Sequence, residues 1–419
     1  MRKVRPLTTP RITIVSFLKT LLFVLRDALQ SLCYRRDLRC LDERIFFLAT
    51  TANHLHAVQP IINRLGANAV QNDSSMLTWI NQRAALYCLP YLPLVLFRCI
   101  TASSYQRSTI TTGFFEYWLT YGQFLAACVL FSHRPRLVVL SNDHRPLPRS
   151  MALAARTLGI PTVFIPHAGV MEGLPPLAFD YAFLDGHHAC SKYLSFGPST
   201  TIVFLGGNCK LDPLLQGVEK QQASILVSPS FGDNCDMIAR LLVALKEAGL
   251  SHLVTIRPHP RDENNEFYAA FARQHDFYYS DAARISSESD LRRAEFVICG
   301  DSNIILEARF AGCRVIVFIA GQQLLDRYGY VADGLPDFIT DDVADIIHYF
   351  MSRFDLDHEP NAQLVNFIGT LGTHWHGHSC ELIADTLLYL KTTGTVNESI
   401  WIPLEQQFPG NKVYSPVSP

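Results

Sequence analysis

Short continuous apolar runs alternate with longer stretches of helical spacing, and the alternation occurs twice along the chain. The first series opens with Ile45-Phe46-Phe47-Leu48-Ala49, which has no polar alternate. Such a run marks a strand buried on both faces, as in a parallel sheet covered by helices. Residues 56–65 have helical spacing and stop at Gly66, and a long helical region follows as far as residue 131. Leu137-Val138-Val139-Leu140 predicts a second strand, and residues 150–158 a helix closed by Gly159. Thr162-Val163-Phe164-Ile165, Tyr181-Ala182-Phe183-Leu184 and Thr201-Ile202-Val203-Phe204-Leu205 predict three more strands, and Gly206-Gly207-Asn208 ends the series.

A polar, turn-rich segment at 211–222 separates the second series from the first. Strands are predicted at Ser224-Ile225-Leu226-Val227, Leu253-Val254-Thr255-Ile256, Phe296-Val297-Ile298-Cys299 and 314–319, with helices over 236–248, 266–274, 304–311, 341–350 and 379–390. Alternating βα units with apolar strands imply parallel, doubly wound sheets. The expectation is an α/β chain of two Rossmann-like domains facing a cleft, and 419 residues suit that division. The expected parts are a basic and apolar N-terminal helix over 1–43, α/β domains over 44–215 and 216–395, and a tail over 396–419.

Charge changes the picture at the N-terminus. Residues 1–11 carry Arg2, Lys3, Arg5 and Arg11, and the apolar stretch over 12–32 is broken by Lys19, Arg26 and Asp27. A spanning helix needs about 20 apolar residues with few charges, so the segment reads as neither a span nor, without a small-residue cleavage site, a signal peptide. Ile14, Phe17, Leu18, Leu21, Leu22, Leu25 and Leu29 keep helical spacing. Two readings stand side by side: a helix lying on an anionic membrane surface, or one packed on the protein's own core. The formal net charge of -2 gives no global basic excess, so no nucleic-acid partner is expected. Eleven cysteines without a CxxC pair are expected as reduced, buried thiols of a cytoplasmic protein.

In open α/β sheets ligands bind outside the carboxyl ends of the strands, and the polar clusters of this chain fall there. Gly300-Asp301-Ser302-Asn303 turns from a buried strand into a helix, whose free N–H groups attract phosphate. Ser302 and Asn303 add donors, and Glu307, one turn on, is placed to accept from ribose hydroxyls. In Arg257-Pro258-His259-Pro260-Arg261 the prolines stiffen a backbone that concentrates Arg257, His259 and Arg261, donors suited to phosphate or a pyrimidine edge. In the first domain Ile165-Pro166-His167-Ala168-Gly169 turns His167 toward the cleft as a general-base candidate. Asp143 and Glu172 are carboxylate candidates nearby, and His54 and His144 are placed near the acceptor. Each cluster also has a plain reading: helix capping at 302–303, a proline-rich turn at 257–261, a turn histidine at 167. His374-Trp375-His376-Gly377-His378 has no acid or cysteine at a metal-site spacing, and no metal is expected.

In that order, Ile165-Pro166-His167-Ala168-Gly169, Arg257-Pro258-His259-Pro260 and Gly300-Asp301-Ser302-Asn303 with Glu307 resemble the GT-B glycosyltransferases of capsule and teichoic-acid assembly. The nearest groups are the CDP-glycerol glycerophosphotransferase-like family and the bacterial sialyl- and Kdo-transferases that use CMP-sugars. The resemblance spans residues 44–390. It implies metal-independent transfer of a sugar or glycerol-phosphate group from a CMP- or CDP-linked donor to a cell-surface glycan or lipid-linked acceptor, at the inner face of the plasma membrane and without a further cofactor. It implies that Arg257 and His259 hold the nucleotide, that Ser302 and Asn303 hold its phosphates, and that His167 is the base. In the CMP-sugar groups an acid takes that part, here Asp143 or Glu172. Two other readings stay open: an enzyme resembling UDP-N-acetylglucosamine 2-epimerase, and a non-catalytic scaffold of glycan assembly at the membrane.

Overall fold

The computed structural model describes residues 14–103, 113–216, 224–230, 232–260, 262–321, 324–353 and 362–417. The basic stretch at 1–11, part of the turn-rich segment, and Arg261, expected at the nucleotide, lie outside these residues.

The first half runs α1 (Ile14–Cys33), β1 (Ile45–Leu48), α2 (Ala52–Leu65), β2 (Ala69–Gln71), α3 (Ser74–Cys88), α4 (Leu92–Thr101), α5 (Phe114–Phe131), β3 (Leu137–Leu140), α6 (Pro146–Thr157), β4 (Thr162–Phe164), β5 (Tyr181–Leu184), α7 (His187–Ser195) and β6 (Ile202–Leu205). The second runs β7 (Ile225–Ser228), α8 (Cys235–Glu247), β8 (Val254–Ile256), α9 (Asn265–His275), β9 (Tyr278–Tyr279), α10 (Ser287–Arg293), β10 (Phe296–Cys299), α11 (Ile304–Phe310), β11 (Arg314–Phe318), β12 (Phe338–Thr340) and α12 (Val343–Arg353). The chain closes with α13 (Ser379–Thr393), β13 (Trp401–Pro403) and β14 (Val413–Pro416).

β1, β3, β7 and β10 are buried at every residue, which is why their sequences show no alternation. The second sheet has the order β12-β11-β10-β7-β8-β9, all parallel, and its winding reverses between β7 and β10. The first has the order β13-β14-β6-β5-β4-β3-β1-β2 and reverses between β1 and β3. Crevices at such reversal points are where doubly wound sheets take ligands.

One face of the first sheet presents Phe46, Leu48, Val138 and Leu140 to Trp79, Ile80, Leu130, Phe131 and Met151 of α3, α5 and α6. The other presents Ile45, Phe47, Leu137 and Val139 to α2 and, unexpectedly, to Leu382, Ile383 and Leu387 of α13. Although it lies within 216–395 in sequence, α13 packs on the first sheet. β14 then pairs with β6, and the Trp401 indole N–H donates to Thr386 Oγ1 at 3.0 Å, tying the tail to α13. The chain returns past Gly186, where a Cβ would come within 2.6 Å of the Phe367 backbone.

The long helical region resolves into β2, α3, α4 and α5. α3 and α5 cross at Gly122, where a Cβ would lie 1.9 Å from the Ala84 carbonyl oxygen. Val24 and Ala28 of α1 pack with Ala85, Cys88, Val95 and Trp118, so one stripe of the N-terminal helix joins the protein's own core. All eleven thiols are free, and Cys33 is exposed where burial was expected.

Candidate functional site

A narrow crevice lies between the strand exits of the two sheets. His167, Gly169, Asp185, Asn208 and Lys210 line it from the first half, and Asn303, Glu307 and Tyr330 from the second. Its volume is about 30 Å³, room for about one water. Contact across it is direct at Gly169, where a Cβ would come within 2.6 Å of the Tyr330 hydroxyl and 2.8 Å of Asn303 Oδ1. The Tyr330 hydroxyl donates to that same Asn303 oxygen at 3.0 Å.

β4 continues its ladder through Ile165, whose N–H donates to Leu140 O, and Pro166 then turns the chain. His167 Nδ1 lies 2.6 Å from the carbonyl oxygen of Ser141, at the exit of β3. A carbonyl only accepts, so Nδ1 carries the hydrogen and Nε2 holds a free lone pair in the neutral ring. Burial lowers the His167 pKa, and Lys210 and His144 lower it further, against a raising effect of the Ser141 bond and Asp143.

His54 stands beside it, ring centroids 4.3 Å apart. Thr51 caps α2 by accepting from the His54 N–H, which fixes that residue in the first turn. The Thr50 N–H donates to His54 Nδ1 at 3.4 Å, so the hydrogen of His54 sits on Nε2. Burial, then the neighbouring His167, pushes its pKa down to about 4. The pair is therefore neutral, with one ring poised to accept a proton and the other to donate a hydrogen bond.

Asp143 and His144 are otherwise engaged. Asp143 accepts from the Tyr193 hydroxyl and from His144 Nδ1, both at 2.9 Å. Asn142 accepts from the N–H groups of His144 and Arg145, fixing the turn into α6. Asp143 thus orients His144 rather than standing free as a base. Glu172 does not reach the crevice at all: its side chain is 78% exposed, 3.6 Å from Lys192. It lines a separate cavity of about 580 Å³ with His187, His188, Lys192, Asp333 and Phe367.

In the second half, Arg257 is also not where it was expected. Its guanidinium is buried and donates to Asp290 at 2.8 Å, Ser280 at 3.1 Å and the Ile285 carbonyl at 2.9 Å. It braces the β8 exit from beneath and has no face toward a ligand. Above it His259 is half-buried, and its N–H donates to Pro229 O, joining the exits of β7 and β8. Ser302 Oγ caps the following turn by accepting from the Ile304 N–H, and Glu307 accepts from Ser287 Oγ at 3.0 Å.

Several crevice residues were not expected at the site: the sequence offers Asp185 only within Asp185-Gly186-His187-His188, a weak metal-type cluster, and gives no signal for Lys210. Lys210 donates to the His167 carbonyl at 2.7 Å, and burial lowers its pKa against the pull of Glu307 and Asp185. Burial raises the Asp185 carboxyl to about 6, opposed by the Asn208 amide that donates to it at 3.1 Å. Beside Gly300, where a Cβ would meet the Asp233 carboxylate at 2.8 Å, burial together with Asp262 and Asp301 raises Asp233 to about 6. Asp233, Gly300, Asp301 and Arg327 line a second small crevice at the β7/β10 reversal. No three His, Cys, Asp or Glu side chains converge as a metal site among the described residues.

No protein-family description and no curated protein matches this chain in sequence. Solved structures do match in shape. A putative UDP-N-acetylglucosamine 2-epimerase from Listeria monocytogenes superposes with a TM-score of 0.55 at 12% identity, over 84% of this chain and 98% of that one. UDP-GlcNAc 2-epimerase from Neisseria meningitidis, bound to UDP-GlcNAc, gives 0.52 at 15% identity, over 83% and 100%. The wall teichoic acid polymerase TagF, in a structure soaked with CDPG, gives 0.51 at 8% identity, over 91% and 99%. Two Rossmann-like sheets, parallel but for the β13/β14 edge and facing each other through their strand exits, in the arrangement of these enzymes, are the GT-B fold.

Proposed function

We propose that the chain is a transferase that moves a sugar or glycerol-phosphate group from a cytidine-nucleotide donor to a hydroxyl of a glycan or lipid-linked acceptor. The observation that carries this reading is the free Nε2 of His167, set by the Ser141 bond, across the crevice from Asn303 and Glu307. The acceptor hydroxyl would bond to Nε2 and lose its proton there as its oxygen attacks the donor. His54 Nε2–H is a donor for the same acceptor. Lys210 spends one hydrogen on the His167 carbonyl and keeps two for the phosphate oxygen that gains charge as the nucleotide leaves.

The cytidine preference rests on Asp233 and Asp301. Cytosine presents an exocyclic amine where uracil presents a carbonyl oxygen, and a carboxylate accepts only from the amine. The two acids and Arg327 suit a ribose and base, leaving the phosphates toward Lys210. The crevice must open to admit a donor, and closure through Gly169 and Tyr330 would exclude water.

Calorimetry and thermal shift against CMP, CDP, UMP and UDP, with Asp233→Asn and Lys210→Met beside the wild type, test this reading. Binding of a cytidine nucleotide, weakened in both variants, supports it. A preference for UDP, with UDP-GlcNAc consumed in the absence of any acceptor, would make the chain an epimerase instead. No nucleotide binding by folded protein would leave a scaffold role.

A further inference from the structure

α1 carries two apolar stripes, and only one is used by the fold. Leu21, Val24 and Ala28 turn inward to α3 and α5. One position on, Leu18, Leu22, Leu25, Leu29 and Leu32 repeat every three or four residues and stay exposed, Leu22 at 66% and Leu29 at 67%. That offset is about 100° around a helix, so the second stripe faces away from the core. α4 repeats the arrangement. Val95 is buried in the same cluster as Val24, while Leu94, Leu96, Phe97 and Ile100 are exposed, Ile100 at 74%. Monomeric proteins seldom expose so many large side chains in contiguous apolar faces.

The continuous stretch Ser74–Thr101 has the length and apolarity of a membrane span. It does not cross here. Pro90 and Pro93 break it into α3 and α4, and α3 commits Met76, Trp79, Ile80 and Cys88 to the core. A helix held by the core along one side and apolar along the other can only lie flat at an interface.

Charge selects the partner. Lys19 and Arg26 border the exposed stripe of α1, with the Arg26 guanidinium 4.9 Å over the Phe23 ring, and Arg98 is exposed on α4. Of the five Lys or Arg in residues 14–39, Arg26, Arg36 and Arg39 pair with Asp27, Asp73 and Asp37, and Lys19 and Arg35 carry the local positive excess in a chain whose net charge is -2. Two copies meeting through this face would set like charges together. Basic side chains whose stems lie along leucines suit an anionic lipid surface, where the heads reach phosphate and the apolar stripe enters the acyl boundary.

We infer that α1 and α4 form a two-helix platform by which the first half docks, without spanning, on an anionic lipid bilayer. The inference does not depend on the donor. The test is flotation of the full chain with phosphatidylcholine vesicles, with and without about 30% phosphatidylglycerol. The wild type is expected to float with the anionic vesicles and at least about tenfold less with neutral ones. Leu22→Glu with Leu29→Glu, and separately Phe97→Glu with Ile100→Glu, are each expected to lower flotation about tenfold or more, leaving thermal unfolding and any nucleotide stabilisation unchanged. These positions are exposed, so the variants should fold, and the nucleotide signal separates this outcome from failure of the proposed function. The inference is overturned if the wild type stays behind with anionic vesicles, or if the glutamate variants float as well as it does. It is equally overturned if lipid-free sedimentation shows a dimer that Leu22→Glu with Leu29→Glu disperses, since a second copy would then cover the face.

Discussion

His167 Nδ1 and the carbonyl oxygen of Ser141 lie 2.6 Å apart, and that bond decides which ring nitrogen can take a proton. An asparagine at 167 keeps a side-chain N–H for Ser141 but has no basic nitrogen. His167→Asn should therefore lower kcat by about 10²–10⁴-fold with little change in thermal midpoint. In the proposed reaction the neutral ring is the active form, and burial lowers its pKa. Activity should rise with pH through a value below the usual histidine range of about 6.5 and stay level above it. A rate profile of kcat/KM against pH checks this, and an inflection above 7 would sink the assignment.

The contact across the crevice runs through a glycine, Gly169. Gly169→Ala would push a methyl group into the Tyr330 hydroxyl and Asn303. The expected outcome is a crevice wedged open, with slower transfer and faster hydrolysis of the donor by water. Tyr330→Phe in the same chain removes the nearest clashing atom and should restore part of the transfer rate. Product analysis of transfer against hydrolysis gives the answer, and an unchanged ratio in Gly169→Ala would count against closure at this contact.

Arg257 should matter for stability and hardly for affinity. Arg257→Met leaves the Asp290 carboxylate buried beside Ser280 without its cation. The expected loss is about 3–5 kcal/mol in urea unfolding. Adding Asp290→Leu should recover much of it, because both charges are then gone. Nucleotide affinity of whatever folded protein remains should be near that of the wild type, and a selective affinity loss without destabilisation would return Arg257 to the ligand.

Acid stability should reflect opposing groups. The folded pKa of His54, about 4, lies below its ordinary 6.5, so the unfolded chain takes up that proton first. Its contribution is present above 6.5 and is lost as pH falls toward 4, on the order of 2 kcal/mol. Asp185 acts the other way. Raised from 3.8 to about 6, it favours the fold below 3.8 and loses that contribution as pH rises through 6. Denaturant titrations across this range should show a flatter acid limb in His54→Gln. Asp185→Asn should be more stable than the wild type at neutral pH, with the difference closing near pH 4.

The strands were legible because parallel strands buried on both faces write themselves as unbroken apolar runs, as at Ile45–Leu48 and Phe296–Cys299. β2, β9, β13 and β14 are short and partly exposed, so their sequences resemble loops. Histidine and glycine at strand exits were visible because both crevices form there. Arg257 was misplaced because its partner Asp290 lies 33 residues away, and sequence spacing does not report a buried ion pair. Lys210 and Asp185 are single residues in turns after neighbouring strands of the first sheet, and only the sheet's strand order brings them beside His167.

The return of α13, β13 and β14 to the first sheet sets an order of events during synthesis. The second sheet draws on residues 225–340 alone and can assemble as soon as that stretch leaves the ribosome. The first sheet, although made earlier, has only α2 over Ile45, Phe47, Leu137 and Val139, and no neighbour for β6 on its outer side, until residues 379–416 emerge. For that interval it holds an open strand edge and a half-covered apolar face, the features by which nascent chains associate wrongly. A stop codon before Trp401 would therefore injure the first sheet rather than the second.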